Sequence, residues 1–186
     1  MTDEWDARMH RRAERSPARG AWRAALLART LVRGDVETVA GALEHEVAGL
    51  ASAPLDANWL YTAAGLGVVT ARLGDERAAG ELYPRLLPFG HRIVTVGRGC
   101  VCAGSASLAL GLLAATLGDR PAAVMHLEEA GHRNETLGAV VFAAAAWHAL
   151  AGVVDDGARA EQLRREADAA ATAIGVTLPA GLLWWV

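Results

Sequence analysis

The strongest constraint on this chain is a stretch it uses twice. Residues 67–79 read GVVTARLGDERAA and residues 111–123 read GLLAATLGDRPAA, so seven of thirteen positions are identical at an offset of 44. The pairs Val68/Leu112 and Val69/Leu113 are conservative exchanges. A fainter copy stands at Leu31-Val32-Arg33-Gly34-Asp35, where Gly34 precedes Gly74 by 40 residues, and a degenerate fourth unit turns at Val154-Asp155-Asp156-Gly157.

Each copy spells a helical hairpin. Apolar residues at helical spacing lead to Leu73 or Leu117. Gly74 and Gly118 suit the left-handed position that ends a helix, and Asp75 and Asp119 suit the cap of the next one. Pro121 falls in a first turn, where a missing N–H costs little. The second helices carry Ala78, Ala79, Leu82, Leu86 and Ala122, Ala123, Leu127, Ala130. Such a hairpin leaves one apolar face uncovered, so neighbours must stack. The spacing predicts helices near 4–15, 18–33, 36–50, 57–73, 76–88, 100–117, 120–136, 138–152 and 158–174. The fold expected is all-α: one domain of stacked antiparallel helix pairs, an α-solenoid. Residues 1–17 form a basic N-terminal helix, 18–175 the pairs, and 176–186 an apolar tail. The β-branched run Arg92-Ile93-Val94-Thr95-Val96 reads as an extended connector, because one short strand has no evident partner.

Composition agrees. Of 186 residues 41 are Ala, and 53% are hydrophobic while only 5% are aromatic. The core must therefore be built from Ala, Leu and Val, and Ala and Leu favour helix. All 18 cations are Arg, without one Lys, a bias that points to a GC-rich bacterial genome. A net charge of −3 does not advertise nucleic acid as a partner. Residues 1–33 carry eight Arg against four acids, read here as the solvated face of a first helix. The most apolar stretch, Ala139 to Val154, falls short of the ~20 residues of a membrane span. Cys100 and Cys102, one residue apart, make no comfortable disulfide on a helix or a strand and read as buried, reduced thiols. A cytoplasmic protein is the expectation.

The run Glu81-Leu82-Tyr83-Pro84-Arg85-Leu86-Leu87-Pro88, then Leu110-Gly111-Leu112-Leu113-Ala114-Ala115-Thr116-Leu117-Gly118 and Leu137-Gly138-Ala139, resembles a tetratricopeptide-type helical region. That region forms the C-terminal part of large bacterial ATP-dependent transcription regulators, LuxR-type ones and those fused to adenylate-cyclase domains among them. Pro54, Asp56, Trp59, Leu60 and Leu73-Gly74-Asp75 fit the same pattern, and the likeness covers roughly residues 20–175. Two departures stand out. The period is 40 to 44 rather than 34, and a chain without Lys cannot carry a standard phosphate-binding loop. What the resemblance implies is the sensing or interaction part, standing alone.

Chemistry-bearing residues are scattered. Gly97-Arg98-Gly99-Cys100-Val101-Cys102 has a glycine-rich turn and an adjacent Arg that could hold an anion, but a plain connector is the preferred reading. Histidines 10, 45, 91, 126, 132 and 148 show no metal-binding spacing, and neither a metal nor a cofactor is expected. Ser105 lacks the elbow of a hydrolase nucleophile, and Cys100 or Cys102 would need the fold to bring His91 or His148 alongside. First helices of stacked pairs usually line the concave surface. A groove there would draw on Trp59, Tyr61, His91, Arg98, Cys102, Ser105, Trp147 and His148. The same tryptophans could fill the core instead, and His148 could be a half-buried histidine satisfied by a carbonyl. The expected function is a non-catalytic module binding a protein segment or small ligand in that groove. A small helical enzyme, a cyclase or isomerase using the groove as a shaped pocket, is the alternative. The tail Leu182-Leu183-Trp184-Trp185-Val186 should cap the last pair, close the groove, or join a second copy into a homodimer.

Overall fold

A computed structural model describes residues 3–97, 99 and 101–176. It is 74% helix. The helices are α1 (Asp3–Glu14), α2 (Arg19–Val32), α3 (Val36–Ser52), α4 (Trp59–Leu73), α5 (Glu76–Leu86), α6 (Ala106–Thr116), α7 (Arg120–Thr136), α8 (Val140–Ala151) and α9 (Gly157–Ala173). A 3-10 turn, Leu87–Phe89, follows α5, which carries Pro84 in its last turn.

The Gly-Asp breaks do what their chemistry predicts. Gly34, Gly74 and Gly118 have φ of +88°, +67° and +73°, a region that costs an L-residue with a Cβ about 1–2 kcal/mol. Asp35, Asp75 and Asp119 each accept a hydrogen bond from a first-turn N–H, of Thr38, Ala78 and Ala122 respectively. Asp156 caps α9 through the N–H groups of Ala158 and Arg159. The degenerate fourth unit therefore turns as well.

These turns fold α2 back on α3, α4 on α5, α6 on α7 and α8 on α9, while α4 also packs on α2 and α6, and α7 on α8. Leu43, Leu66, Leu82, Leu86, Leu110, Leu113, Leu127 and Leu150 are fully buried in one cluster running from α2 to α8. Alanines fill the space between them, which lets backbones approach. At the far end α9 buries only Ala160, Ala167 and Ala171. Its other face carries exposed Glu161, Gln162, Arg165 and Glu166, the polar outer surface that a terminal helix needs.

One expectation is overturned. Residues 101–105 are not the start of a helix, and the β-branched run is not unpaired. Ile93–Val96 (β1) and Val101–Ser105 (β2) form an antiparallel hairpin, with Ile93 opposite Ser105, Thr95 opposite Cys102 and Val96 opposite Val101. Gly97 and Gly99, at φ +59° and +82°, make the turn, and Gly104 at +73° keeps helix from beginning before Ala106. Among the described residues no helix is long and apolar enough to cross a membrane.

Candidate binding cleft

A concavity of about 450 Å³ lies at the N-terminal end. Its walls are the link from α1 into α2, the C-terminal half of α3, and the start of α4. Three local features build it. Arg23 of α2 reaches Glu14 of α1 (Nη2–Oε1 2.8 Å) and Glu46 of α3 (Nη1–Oε1 3.2 Å). The hydrogen bond to Glu14 is the largest influence raising the guanidinium pKa above its already high ordinary value, against the opposing pull of burial. Asp56 accepts the N–H of Asn58 at 2.8 Å, which turns the chain into α4. The Thr62 hydroxyl then donates to the Asn58 carbonyl at 2.9 Å, and Gly20 lets α2 come close, since a Cβ there would stand 3.1 Å from Thr62.

Trp59 forms the inner wall. It is 7% exposed and packs tilted against Phe89, ring centroids 5.2 Å apart. It also borders a second hollow of about 320 Å³, lined by Leu55, Phe89, Arg92 and Ile93 among others. Trp59 and Asp56 border both spaces. Gly49, which also lines the cleft, sits in the last turn of α3 where a Cβ would meet nothing within 4 Å. A glycine within a helix costs up to about 0.5–1 kcal/mol relative to Ala, and no close packing requires this one. The cleft thus offers an indole, aliphatic surface from Leu50 and Pro54, and rim charges of both signs.

Of the other residues singled out from sequence, those described do not join Trp59 there. Tyr61 is buried on α4 against the hairpin, and burial pushes its phenol up to about 12. Ser105, 2% exposed, lies beside it. The Ser105 side chain caps α6 by accepting the Ser107 N–H, and its own N–H donates to Asn134 Oδ1 at 2.8 Å. His91 is exposed, and its carbonyl accepts from Arg133. Cys102 is an exposed thiol, not a buried one, because it sits on the open half of β2.

Trp147 fills the α7–α8 interface. Its indole N–H donates to Glu135 at 2.8 Å, its ring lies edge-on to His132, and it covers Gly131, where a Cβ would stand 2.4 Å from it. His148 is half-buried, but no carbonyl satisfies it: Nδ1 makes no hydrogen bond and lies 3.8 Å from an Asp168 carboxylate oxygen. Arg98, Trp184 and Trp185, and with them the expectations for the tail, lie outside the described residues. Among the described residues no three His, Cys, Asp or Glu side chains are grouped to hold a metal.

One polar pair went unread in the sequence. Tyr83 Oη of α5 lies 3.0 Å from His126 Nε2 of α7, with the rings edge-on at 5.8 Å. His126 is 7% exposed. Burial pulls its pKa below the ordinary 6.5, and Glu129 and Asp119 only partly oppose the shift. As pH falls below about 6.5 the unfolded chain takes up this proton first, so stability declines from there down to the folded-state pKa and is unaffected above. His126→Gln removes that component while keeping a polar partner for Tyr83. Urea midpoints at about pH 7.5 and about pH 5.5 should show the larger acid loss in the wild type. Equal losses in both proteins would mean His126 is not held neutral.

No family model, no curated protein and no solved structure matches this chain.

Proposed function

We propose that the chain is a non-catalytic interaction or sensing module of tetratricopeptide-like type, which seats a protein segment or a small ligand in the cleft beside Trp59. The observation that carries this reading is the cleft itself, about 450 Å³ and bordered by a tryptophan. Gly49, in the last turn of α3, also borders it, and a Cβ there would meet nothing within 4 Å. Aromatic anchors in concave surfaces are the usual energetic centres of recognition. Arg23 is engaged by Glu14 and Glu46, so its charge serves the wall rather than a reaction.

The repeat kinship rests on the capped turns and on one spacing that the Gly-Asp offsets hide. The first residues of α6 and α8, Ala106 and Val140, are 34 apart, the length of a tetratricopeptide unit. The interval from α4 to α6 is longer because it contains the hairpin.

Gly49→Leu tests the reading with little risk to the fold. Leucine favours helix over glycine by roughly 0.5–1 kcal/mol, and its side chain would project into the cleft. Thermal stability should hold or rise. Immobilised wild type should retain a metabolite or protein from host extract that Gly49→Leu loses by tenfold or more in affinity. Equal retention by both proteins would overturn the assignment of the cleft.

A further inference from the structure

The second hollow beside Trp59 carries one charge of each sign on a largely apolar lining. Leu55, Leu60 and Ile93 border it with the tilted Trp59–Phe89 pair, and Asp56 and Arg92 supply the charges. Arg92 is exposed, and among the described residues its guanidinium meets no carboxylate and makes no hydrogen bond. Asp56 Oδ1 accepts the Asn58 N–H, while Oδ2 has no partner among the described residues. Both charges are therefore left to solvent or to a ligand.

Each stands on backbone that is already fixed. Around Arg92 three successive carbonyls are engaged: Gly90 accepts the Ser107 hydroxyl at 2.9 Å, His91 accepts from Arg133, and Arg92 accepts the Ala106 N–H at 3.0 Å. The Arg92 N–H donates to the Phe89 carbonyl at 2.8 Å. Across the hollow the Asp56 N–H donates to the Pro54 carbonyl at 2.8 Å, and the Asp56 carbonyl accepts the Trp59 N–H at 3.2 Å. The hairpin tip ties the two sides together, since the Gly97 N–H donates to Asn58 Oδ1 at 3.0 Å. A preformed hollow with apolar walls and a few fixed polar groups is the usual form of a small-molecule site. At about 320 Å³ this one stands at the small end of such sites.

We propose that the hollow binds a free amino acid with a large apolar side chain. Arg92 takes the carboxylate, Asp56 takes the ammonium, and the side chain lies against Trp59, Phe89 and Leu55. Charge-assisted pairs of this kind are the stronger hydrogen bonds. A segment within a polypeptide has both α-groups tied up in amide bonds and would leave Arg92 and Asp56 unmatched. This goes beyond the Trp59 cleft and does not depend on it, because Gly49 borders the cleft and not this hollow.

Isothermal titration calorimetry of the full chain with L-phenylalanine as probe tests the site. Binding at about 1 mM or tighter is expected for so small a ligand on an open site. L-Phenylalaninamide lacks the carboxylate and N-acetyl-L-phenylalanine lacks the ammonium, and each should bind roughly three- to tenfold more weakly. Glycine, which keeps both charges but has no side chain, should give no binding at about 10 mM. Arg92→Gln should weaken L-phenylalanine to the level of its amide and leave the amide unaffected. Asp56→Asn keeps an oxygen for the Asn58 N–H and should do the same with respect to the N-acetyl compound. Gly49→Leu should bind L-phenylalanine as the wild type does, so the hollow and the cleft stand or fall separately. No binding of L-phenylalanine at about 10 mM would overturn the proposal. So would equal affinity for the free amino acid and its two blocked forms, or binding that survives Arg92→Gln and Asp56→Asn unchanged.

Discussion

Gly104→Ala should destabilise the protein by about 2–6 kcal/mol, the sum of two costs that no neighbour can relieve. The first is conformational: φ at Gly104 is +73°, and an alanine held in that region costs about 1–3 kcal/mol. The second is steric. A Cβ on Gly104 would stand 2.6 Å from Phe142 Cγ and 2.8 Å from Phe142 Cβ. Because the clash reaches the root of that side chain, swinging the ring aside does not remove it, and α8 or the hairpin base must move. Overpacking of this kind costs about 1–3 kcal/mol. Urea denaturation gives the value directly. A loss under about 1 kcal/mol would mean that the hairpin does not seat on α8.

Gly67 and Gly111 occupy the same place in the repeated stretch, and their alanine variants should diverge. Gly67 lies where α4 crosses α6, and a methyl added there would stand 3.3 Å from Leu113 Cδ1 and 3.5 Å from Ala109 Cβ. A leucine terminus can give a few tenths of an ångström. Helix propensity then returns about 0.5–1 kcal/mol, so Gly67→Ala should be neutral or mildly stabilising. At Gly111 a methyl would stand 2.5 Å from Leu127 Cγ and 3.1 Å from the Leu127 backbone N. Backbone cannot step aside, and Leu127 is fully buried. Gly111→Ala should therefore cost about 1–3 kcal/mol, after the propensity gain is counted. Equal melting temperatures for the two variants would contradict the close α6–α7 approach.

What the sequence made legible was what local chemistry decides. Gly74-Asp75 and Gly118-Asp119 needed no tertiary information, because a left-handed glycine followed by an aspartate cap is chosen within a few residues. Even Asp156 in the degenerate fourth unit caps its helix. The hairpin escaped because pairing is non-local. Val101 to Ser105 run into an Ala- and Leu-rich helix, and only the arrival of Ile93 opposite Ser105, twelve residues away, makes them a strand. That hairpin covers Tyr61 and takes Ser105 into its own second strand, whereas helix order placed both on an open groove.

The cleft was half legible. Trp59 stood out as an aromatic at a helix start. The rest of its lining did not, because Gly49 contributes by absence and because Arg23, Glu46 and Asp56 look like ordinary surface charges until the ion pairs and turn are seen. His126 read as one more scattered histidine. Its partner, Tyr83, lies 43 residues earlier in sequence.

The most direct test of the central claim is amide NMR of the full chain titrated with whatever the wild type retains from host extract. The cleft reading predicts that shifted resonances concentrate at Gly20, Glu46, Gly49, Asn58 and Thr62, and that Gly49→Leu abolishes those shifts without disturbing the rest of the spectrum. Shifts centred instead on the polar outer face of α9 or the α7–α8 interface around Trp147, with the residues beside Trp59 silent, would contradict it.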